Sequence, residues 1–302
     1  MVLCGINESI IMEFKDIKTV AVIGSGTMGQ GIALVCAQAG YTTLLYDVNT
    51  ELLGKAIESI ANNLKIAVEK GKINQVDQDE IQKRIIVVKK LEEVKADIII
   101  EAIVEKLDVK QILFRELEKI NEGNAILATN TSSIAVTQIA TKLKNPANCI
   151  GLHFFNPAHL MKLVEIISGT STDPKLIDIL KEFSRKLGKT SVVAKDSPGF
   201  IVNRVARHYY VESLKLLEEN VADVESIDKL LRSAGFKMGP FELMDLIGID
   251  TNFAVTSSVY NGFHQDSKFR PSRVQQQKVD AGHLGRKSGK GFYEYPKKGK
   301  RR

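Results

Sequence analysis

The spacing of apolar positions changes partway along the chain. Up to residue 167 short β-branched runs alternate with longer amphipathic stretches, and from residue 200 onward the spacing is helical. Residues 18–23 read as a buried strand; a helical pattern follows through Ala39 and stops at Gly40, and residues 42–46 read as a second strand. Residues 50–70 predict a long helix, and residues 84–88, 96–100 and 125–129 predict further strands. Between the last two lies the mostly helical EAIVEKLDVKQILFRELEKI. Two more apolar runs, CIGL from Cys149 and MKLVEII from Met161, read as core strands. The segment Lys195-Asp-Ser-Pro-Gly199 then interrupts the pattern, because Pro198 and Gly199 break a strand and proline tolerates the first turn of a helix. Beyond it, FIVNRVARHYYVESLKLLEEN, DVESIDKLLRSA, FELMDLIG and residues 251–260 belong to a domain of four to six helices.

Alternation of strand and helix argues for a parallel sheet wound on both faces. The expected fold is therefore α/β: a Rossmann-type doubly wound, mostly parallel sheet over residues 17–195, then an all-helical C-terminal domain over residues 196–302. Residues 1–16 carry no clear pattern and are read as an N-terminal extension, with Met12 an alternative start.

Composition narrows the class. No apolar run approaches the roughly 18 to 20 residues needed to span a bilayer, so no membrane partner is expected. The N-terminus lacks the basic and long apolar regions of a signal peptide. Cys4, Cys36 and Cys149 are odd in number and without CxxC spacing, which favours a reducing, cytoplasmic setting and gives no sign of a zinc site. Part of the net charge of +6 comes from the tail KKGKRR, read as solvated. A positive surplus suits a phosphate-bearing ligand, and the tail alone does not argue for nucleic acid.

The segment KTVAVIGSGTMGQGIALVCAQAGYTTLLYD sets Gly24, Ser25, Gly26, Thr27, Met28 and Gly29 directly between strand and helix. Gly24 permits the tight turn, Gly26 lets the backbone approach a pyrophosphate, and Gly29 lets helix and strand pack closely. The helix N-terminus offers N–H groups and a positive dipole end to the phosphates. Asp47, eighteen residues beyond Gly29, is placed to accept hydrogen bonds from the adenosine ribose. Strand, glycines, helix, strand and acid in that order make the motif specific for a dinucleotide. The Asp47 carboxylate would repel a 2′-phosphate, and neither Val48 nor Asn49 supplies a cation, so NAD is expected rather than NADP.

Glu101, Glu105, Asn130, Ser132 and His153 all fall just past predicted strand ends, where such sheets bind ligands. Ser132 or Ser133 could equally cap the next helix. His153 and Glu165 stand twelve positions apart in two core-like runs. The bland reading is an interior histidine and a solvated acid. The chemical reading is that a neutral imidazole accepts the hydroxyl proton when NAD takes hydride from a secondary alcohol. A carboxylate on the other ring nitrogen would fix the tautomer and stabilise the imidazolium. Antiparallel strands joined by a short turn, NPAH, would bring the two together. A Tyr-x-x-x-Lys dyad is matched only by Tyr293 with Lys297, interrupted by Pro296, and no HExxH or GxSxG motif is present.

VIGSGTMGQGIA, EAIVEKLDVK, ATNTSSI, GLHFFNPAHLMKLVEII, KDSPGFIVNR, GPFELMDLIGID and GRKSGKGFY together resemble the 3-hydroxyacyl-CoA dehydrogenase family, in particular its 3-hydroxybutyryl-CoA type, over residues 17–295. The resemblance implies reversible NAD-dependent oxidation of short-chain (S)-3-hydroxyacyl-CoA, with His153 as general base and Glu165 as its partner. It implies that Ser132 meets the substrate 3-oxygen and that Asn203 helps hold the acyl group. Glu105, Lys110, Asn156 and Lys287 match family positions that contact NAD, beside the glycine loop, Asp47 and Ser132. Lys70 is similar to a family lysine near the CoA phosphates, and Asn63 stands where relatives can have a serine contacting CoA. A homodimer through the helical domain is also implied. The bland alternatives are a helix cap for Asn203 and a solvated helix face for Glu105 and Lys110. Other readings are a scaffold relative acting on a free hydroxy acid such as L-gulonate, or a non-catalytic NAD-binding protein. No fused enoyl-CoA hydratase is expected within these residues.

Overall fold

The computed structural model describes residues 12–296. Cys4 and the basic tail, with Lys297, lie outside the described residues. The chain divides into two compact units after Ser197.

The first unit runs β1 (Thr19–Ile23), α1 (Thr27–Gln38), β2 (Thr42–Tyr46), α2 (Thr50–Glu69), α3 (Gln75–Arg84), β3 (Ile85–Val88), β4 (Ile98–Glu101), α4 (Leu107–Ile120) and β5 (Ile126–Thr129). It continues through α5 (Val136–Ala140), β6 (Cys149–Phe154), β7 (Leu163–Ser168), α6 (Lys175–Lys186) and β8 (Thr190–Lys195). The eight strands form one sheet in the order β3-β2-β1-β4-β5-β6-β7-β8. From β3 to β6 every neighbouring pair is parallel. β7 then runs antiparallel to β6, and β8 parallel to β7. Strands buried on both faces read as continuous apolar runs, as in β1, where Val20 to Ile23 are sealed. The core packs Val20, Val22, Ile98, Ile100, Ile126 and Ile150 of the sheet with Ile32, Leu53, Ile60, Leu180 and Phe183 of the helices. Met12 and Phe14, from the stretch read as an extension, pack against this core.

The order reverses at β1, which lies between β2 and β4, so a crevice opens beyond the carboxyl ends of those strands. Neither Ser132 nor Ser133 caps α5. Its N-cap is Ala135, and its first amides, Val136 N–H and Thr137 N–H, donate to the two oxygens of Asp196 at 2.9 and 2.7 Å. Ser133 Oγ–H donates instead to Glu105 Oε1 at 2.9 Å. The connection between β6 and β7 is also longer than the turn expected, running from residue 155 to 162. Lys189 Nζ holds it by donating to the carbonyls of Ala158 and Met161 at 2.6 and 2.7 Å.

The second unit, from Pro198, contains α7 (Val202–Glu218), α8 (Val224–Ser233), α9 (Pro240–Ile247), α10 (Ile249–Gly262) and α11 (Arg273–Asp280). Tyr210, Leu214, Ile227, Phe241, Met244 and Ile249 form its small apolar core. Two fully buried carboxylates tie the ends together. Asp228 accepts from Phe241 N–H, Glu242 N–H and Tyr293 Oη–H, which gives α9 its N-terminal bonds. Asp245 accepts from Phe292 N–H, Tyr293 N–H and Tyr295 Oη–H, each at 2.9 Å. A Cβ on Gly291 would stand 2.1 Å from Asp245 Oδ1, which explains the glycine in GKGFY. Tyr293 is thus a structural phenol bonded to Asp228, not half of a catalytic dyad.

Candidate active site

The dinucleotide loop is built by steric necessity. Gly24 has φ +100°, and a Cβ there would meet Ala102 O at 2.5 Å. A Cβ on Gly29 would stand 1.7 Å from Gly24 O, so no other residue fits. Gly26 differs: no atom lies within 4 Å of its missing Cβ. That open space adjoins the start of α1, whose N-terminus has no side-chain cap. Bare amides and a positive dipole end beside a vacant backbone cradle fit a pyrophosphate. Asp47 closes β2 and is oriented by Ser25, whose N–H and Oγ–H donate to Oδ2 at 2.7 and 2.9 Å. The Asn49 amide donates to Oδ1 at 2.9 Å. A carboxylate offers about four acceptor sites, so ribose hydroxyls can still be received. The residues present fit NAD.

The proton-handling pair is formed by strand register. In the antiparallel β6–β7 ladder His153 lies directly opposite Glu165, which puts both side chains on one face. His153 Nδ1 and Glu165 Oε2 are 2.8 Å apart, with the histidine 5% and the glutamate 0% exposed. A carboxylate accepts hydrogen bonds, so the ring tautomer that suits this contact is the one with N–H at Nδ1, donating a hydrogen bond to Glu165. The outward-facing reading of Glu165 is excluded. Phe155 packs against the imidazole, ring centroids 4.6 Å apart.

A second polar cluster lies at the ends of β4 and β5. Glu101, fully buried, accepts from Ile103 N–H and Lys110 Nζ on Oε1 and from Thr129 Oγ1–H on Oε2. Lys110 is sealed at 1% exposure and reaches Glu101 at 2.5 Å and Glu105 at 3.1 Å. The solvated-face reading of this lysine is overturned, since its ammonium is enclosed between two carboxylates. Glu105, in the loop before α4, receives on Oε1 the hydroxyl of Thr131 at 2.5 Å, the amides of Ser132 and Ser133 at 3.0 and 3.1 Å, and Ser133 Oγ–H at 2.9 Å. Burial pushes the Glu105 carboxyl up, but the Lys110 charge and the bonds from Thr131, Lys110 and Ser133 outweigh it and hold it below the usual carboxylate range. Asn130 Oδ1 accepts from Phe154 N–H at 2.8 Å, fastening the end of β5 to the end of β6 one residue after His153.

The first unit thus brings together the glycine loop, Asp47, Glu105, Lys110, Ser132, His153 and Glu165 at strand ends of one sheet. Asn156 is exposed in the β6–β7 connection. Asn63 is half-buried in α2, and Lys70 is the exposed C-cap of that helix, seven positions on and so on nearly the same side. Asn203 and Lys287 belong to the second unit. Asn203 is inside α7, whose N-cap is Ile201, so it is not a cap; its carbonyl accepts from Arg207 Nε–H at 3.2 Å. Lys287 Nζ pairs with Asp250, 2.6 Å from Oδ1 and 2.7 Å from Oδ2. Thr129 and Thr131 went unnoticed in the sequence because a threonine at a strand end carries no distinguishing pattern.

Comparison with known proteins agrees with this geometry. Residues 19–197 match the family described as "3-hydroxyacyl-CoA dehydrogenase, NAD binding domain", and residues 199–295 match "3-hydroxyacyl-CoA dehydrogenase, C-terminal domain". The 3-hydroxyadipyl-CoA dehydrogenase of Escherichia coli is 50% identical over 93% of this chain, which spans only 59% of that relative's length. The 3-hydroxybutyryl-CoA dehydrogenase of Bradyrhizobium diazoefficiens is 41% identical, covering 92% of this chain and 96% of its own. The crystal structure of (S)-3-hydroxybutyryl-CoA dehydrogenase from Ralstonia eutropha superposes with a TM-score of 0.89 at 37% identity, covering 93% of this chain and 100% of that one. The chain belongs to the 3-hydroxyacyl-CoA dehydrogenase family.

Proposed function

We propose that this chain oxidises short-chain (S)-3-hydroxyacyl-CoA reversibly to 3-oxoacyl-CoA with NAD, butyryl being the favoured size. The observation that carries the reading is the sealed His153–Glu165 pair, 2.8 Å apart at the end of a sheet whose opposite half holds a dinucleotide loop. NAD bound on the Gly24–Gly29 loop supplies the hydride acceptor. His153 Nε2 takes the hydroxyl proton, while Glu165 holds the ring by Nδ1 and stabilises the imidazolium. Ser132 steadies the 3-oxygen, with its own amide fixed by Glu105 at 3.0 Å. Asn203 holds the acyl group. Asp47, Glu105, Ser132, Asn156 and Lys287 serve the cofactor, Glu105 being bonded to the Ser132 amide, and Lys110, sealed between Glu101 and Glu105, serves it by holding Glu105. Lys70 and Asn63 serve the CoA arm.

The same reading makes the protein a homodimer through its helical unit, working in a reducing cytoplasm. Val205, Leu230, Phe236 and Leu246, large apolar side chains exposed on that unit, support the first point. Buried free thiols at Cys36 and Cys149 support the second. Among the described residues no helix is long and apolar enough to cross a membrane. Light scattering at micromolar protein should give twice the 33.4 kDa chain mass.

The test of activity is NADH consumption with acetoacetyl-CoA, run beside 3-oxoadipyl-CoA, free acetoacetate and NADPH. Rapid loss with a thioester and NADH is expected, and little with free acetoacetate or NADPH. An equal rate with free acetoacetate would move the reading to a hydroxy-acid dehydrogenase.

A further inference from the structure

Glu101 is the deepest carboxylate of the strand-end cluster and has no part in the proton chemistry above. It terminates β4, opposite Thr129 in the parallel ladder and hydrogen-bonded to it through the side chains at 2.8 Å. A strand buried on both faces would be more stable with an aliphatic side chain there, because desolvating a carboxylate and an ammonium is repaid only by good geometry. The geometry here is directional. From Glu101 one route runs through Lys110 to Glu105, and from Glu105 to the hydroxyl of Thr131 and the amides of Ser132 and Ser133. The other runs through Thr129, whose Oγ1 accepts from Thr131 N–H at 3.2 Å. Both routes converge on the turn 131–133. That turn is short, and the first amides of the α5 that follows are taken up by Asp196.

We propose that Glu101 is a positioning residue, which seats the Ser132 hydroxyl by acting through Lys110–Glu105 and through Thr129. The proposal rests on the reading of Ser132 as the group that meets the substrate 3-oxygen. Without the Glu101 charge, Lys110 turns wholly to Glu105, both anchors of the turn shift, and Ser132 moves with them. Small displacements of a positioning group are costly in rate and cheap in binding.

The experiment is a double-mutant cycle on acetoacetyl-CoA reduction with Glu101→Gln, Ser132→Ala and the pair, together with NADH binding and thermal unfolding of each. Glu101→Gln should lower kcat roughly 10- to 100-fold, the scale of a displacement of about 1 Å at a reacting centre. KM for the thioester should stay within about threefold, because the CoA-binding groups are untouched, whereas Kd for NADH should rise, but by less than kcat falls, since Glu105 and Lys110 serve the cofactor. In the double variant the rate should fall little below that of Ser132→Ala alone, since residues acting through one another are not additive. Effects that multiply, or a wild-type kcat in Glu101→Gln, overturn the proposal. A lower Tm with unchanged kcat per folded molecule does the same, since that is a structural role alone. A wild-type rate in Ser132→Ala overturns the underlying reading of Ser132 and this proposal with it. If Glu101→Gln does not fold, Thr129→Val, which is close in shape and removes the two hydroxyl bonds of the second route while leaving the first intact, runs the same cycle with a smaller loss, roughly 3- to 10-fold, on the scale of one to two hydrogen bonds.

Discussion

Each unit of this protein buries charge, and the strand-end cluster of the first does so differently from the second, although Glu118 of the first unit accepts from the Lys144 and Asn145 amides as the second unit's carboxylates do from theirs. In the first unit Glu101, Lys110, His153 and Glu165 are sealed at the ends of strands, and their partners are largely other ionisable groups. In the second unit Asp228, Asp245 and Arg207 are sealed as deeply, but their partners are backbone amides, carbonyls and hydroxyls. Asp228 starts a helix, Asp245 pins the segment at Phe292 and Tyr293, and Arg207 clamps α7 to α10 through Asn252 O and Thr256 Oγ1. Burial alone therefore does not mark a site. A buried charge facing another titratable group at a strand end can move or hold a proton, whereas one facing peptide groups holds the chain in place.

The contrast is broken most sharply at its catalytic extreme. His153→Ala and Glu165→Gln should each slow turnover roughly 10²- to 10⁴-fold, the usual worth of a positioned base. NADH affinity and unfolding midpoint should change little. Stopped-flow turnover with saturating NADH measures this, and near-wild-type rates in both variants would reduce the pair to interior packing.

The structural extreme should behave in reverse. Asp245→Ala leaves two amides and a phenol without their acceptor. Each orphaned group costs about 1–3 kcal/mol, so a loss of roughly 3 kcal/mol is expected after partial rescue by water. Urea unfolding reads it, and kcat per folded molecule at low temperature should hold. A variant as stable as wild type with collapsed turnover would place Asp245 on the chemical side.

How far the sequence revealed this difference depends on how local each pattern is. β1, α1 and β2 were legible because the strand run, the glycines and Asp47 lie in one continuous stretch. The His153–Glu165 pair was legible because antiparallel register needs only two neighbouring strands. Helix α3 was not, since Ile81 is its single buried residue and no apolar stripe exists to read. In α6, Leu176, Leu180 and Phe183 do form a stripe, so that helix was there to be read and the pattern above leaves it unassigned. Glu101 and Lys110 looked like a strand-end acid and a helix-surface base; that they seal each other off follows only from the packing of α4 on the sheet. The second glycine of GKGFY, Gly291, matched a family motif without an evident reason, because the carboxylate it approaches lies far upstream at Asp245.

Within the first unit, Gly26 separates cofactor cradle from scaffold. Its backbone φ of −62° suits any residue and its missing Cβ faces open space, so Gly26→Ala should leave Tm unchanged. A methyl in the path of the pyrophosphate should weaken NADH binding about tenfold, the scale of one lost hydrogen bond to a charged group. Titration calorimetry decides it. Unchanged affinity would mean the phosphates lie elsewhere than over α1.

The smallest effect distinguishes the two kinds of carboxylate by pH. Glu105 is held below the usual carboxylate range, since burial, which raises it, is outweighed by Lys110 and the hydroxyls of the turn. Asp228 goes the other way, because burial raises it more than its amide and phenol donors lower it. For Glu105 the unfolded chain binds the proton more readily than the folded one. Its contribution is then fully present above the ordinary glutamate value of about 4.3 and is lost as pH falls through the depressed value. For Asp228 the folded chain binds the proton more readily. Its contribution is present below the ordinary aspartate value of about 3.9 and is lost as pH rises through the raised value. From strong acid up to neutrality, the stability of wild type relative to Glu105→Gln should therefore rise with pH up to about 4.3 and then level off, and that relative to Asp228→Asn should fall above about 3.9. Urea midpoints measured across that range give both slopes, and two slopes of the same sign would show that the units do not handle buried carboxylates differently. Glu105 keeps about a third of its side chain in water, so solvent screening makes its slope the shallower of the two.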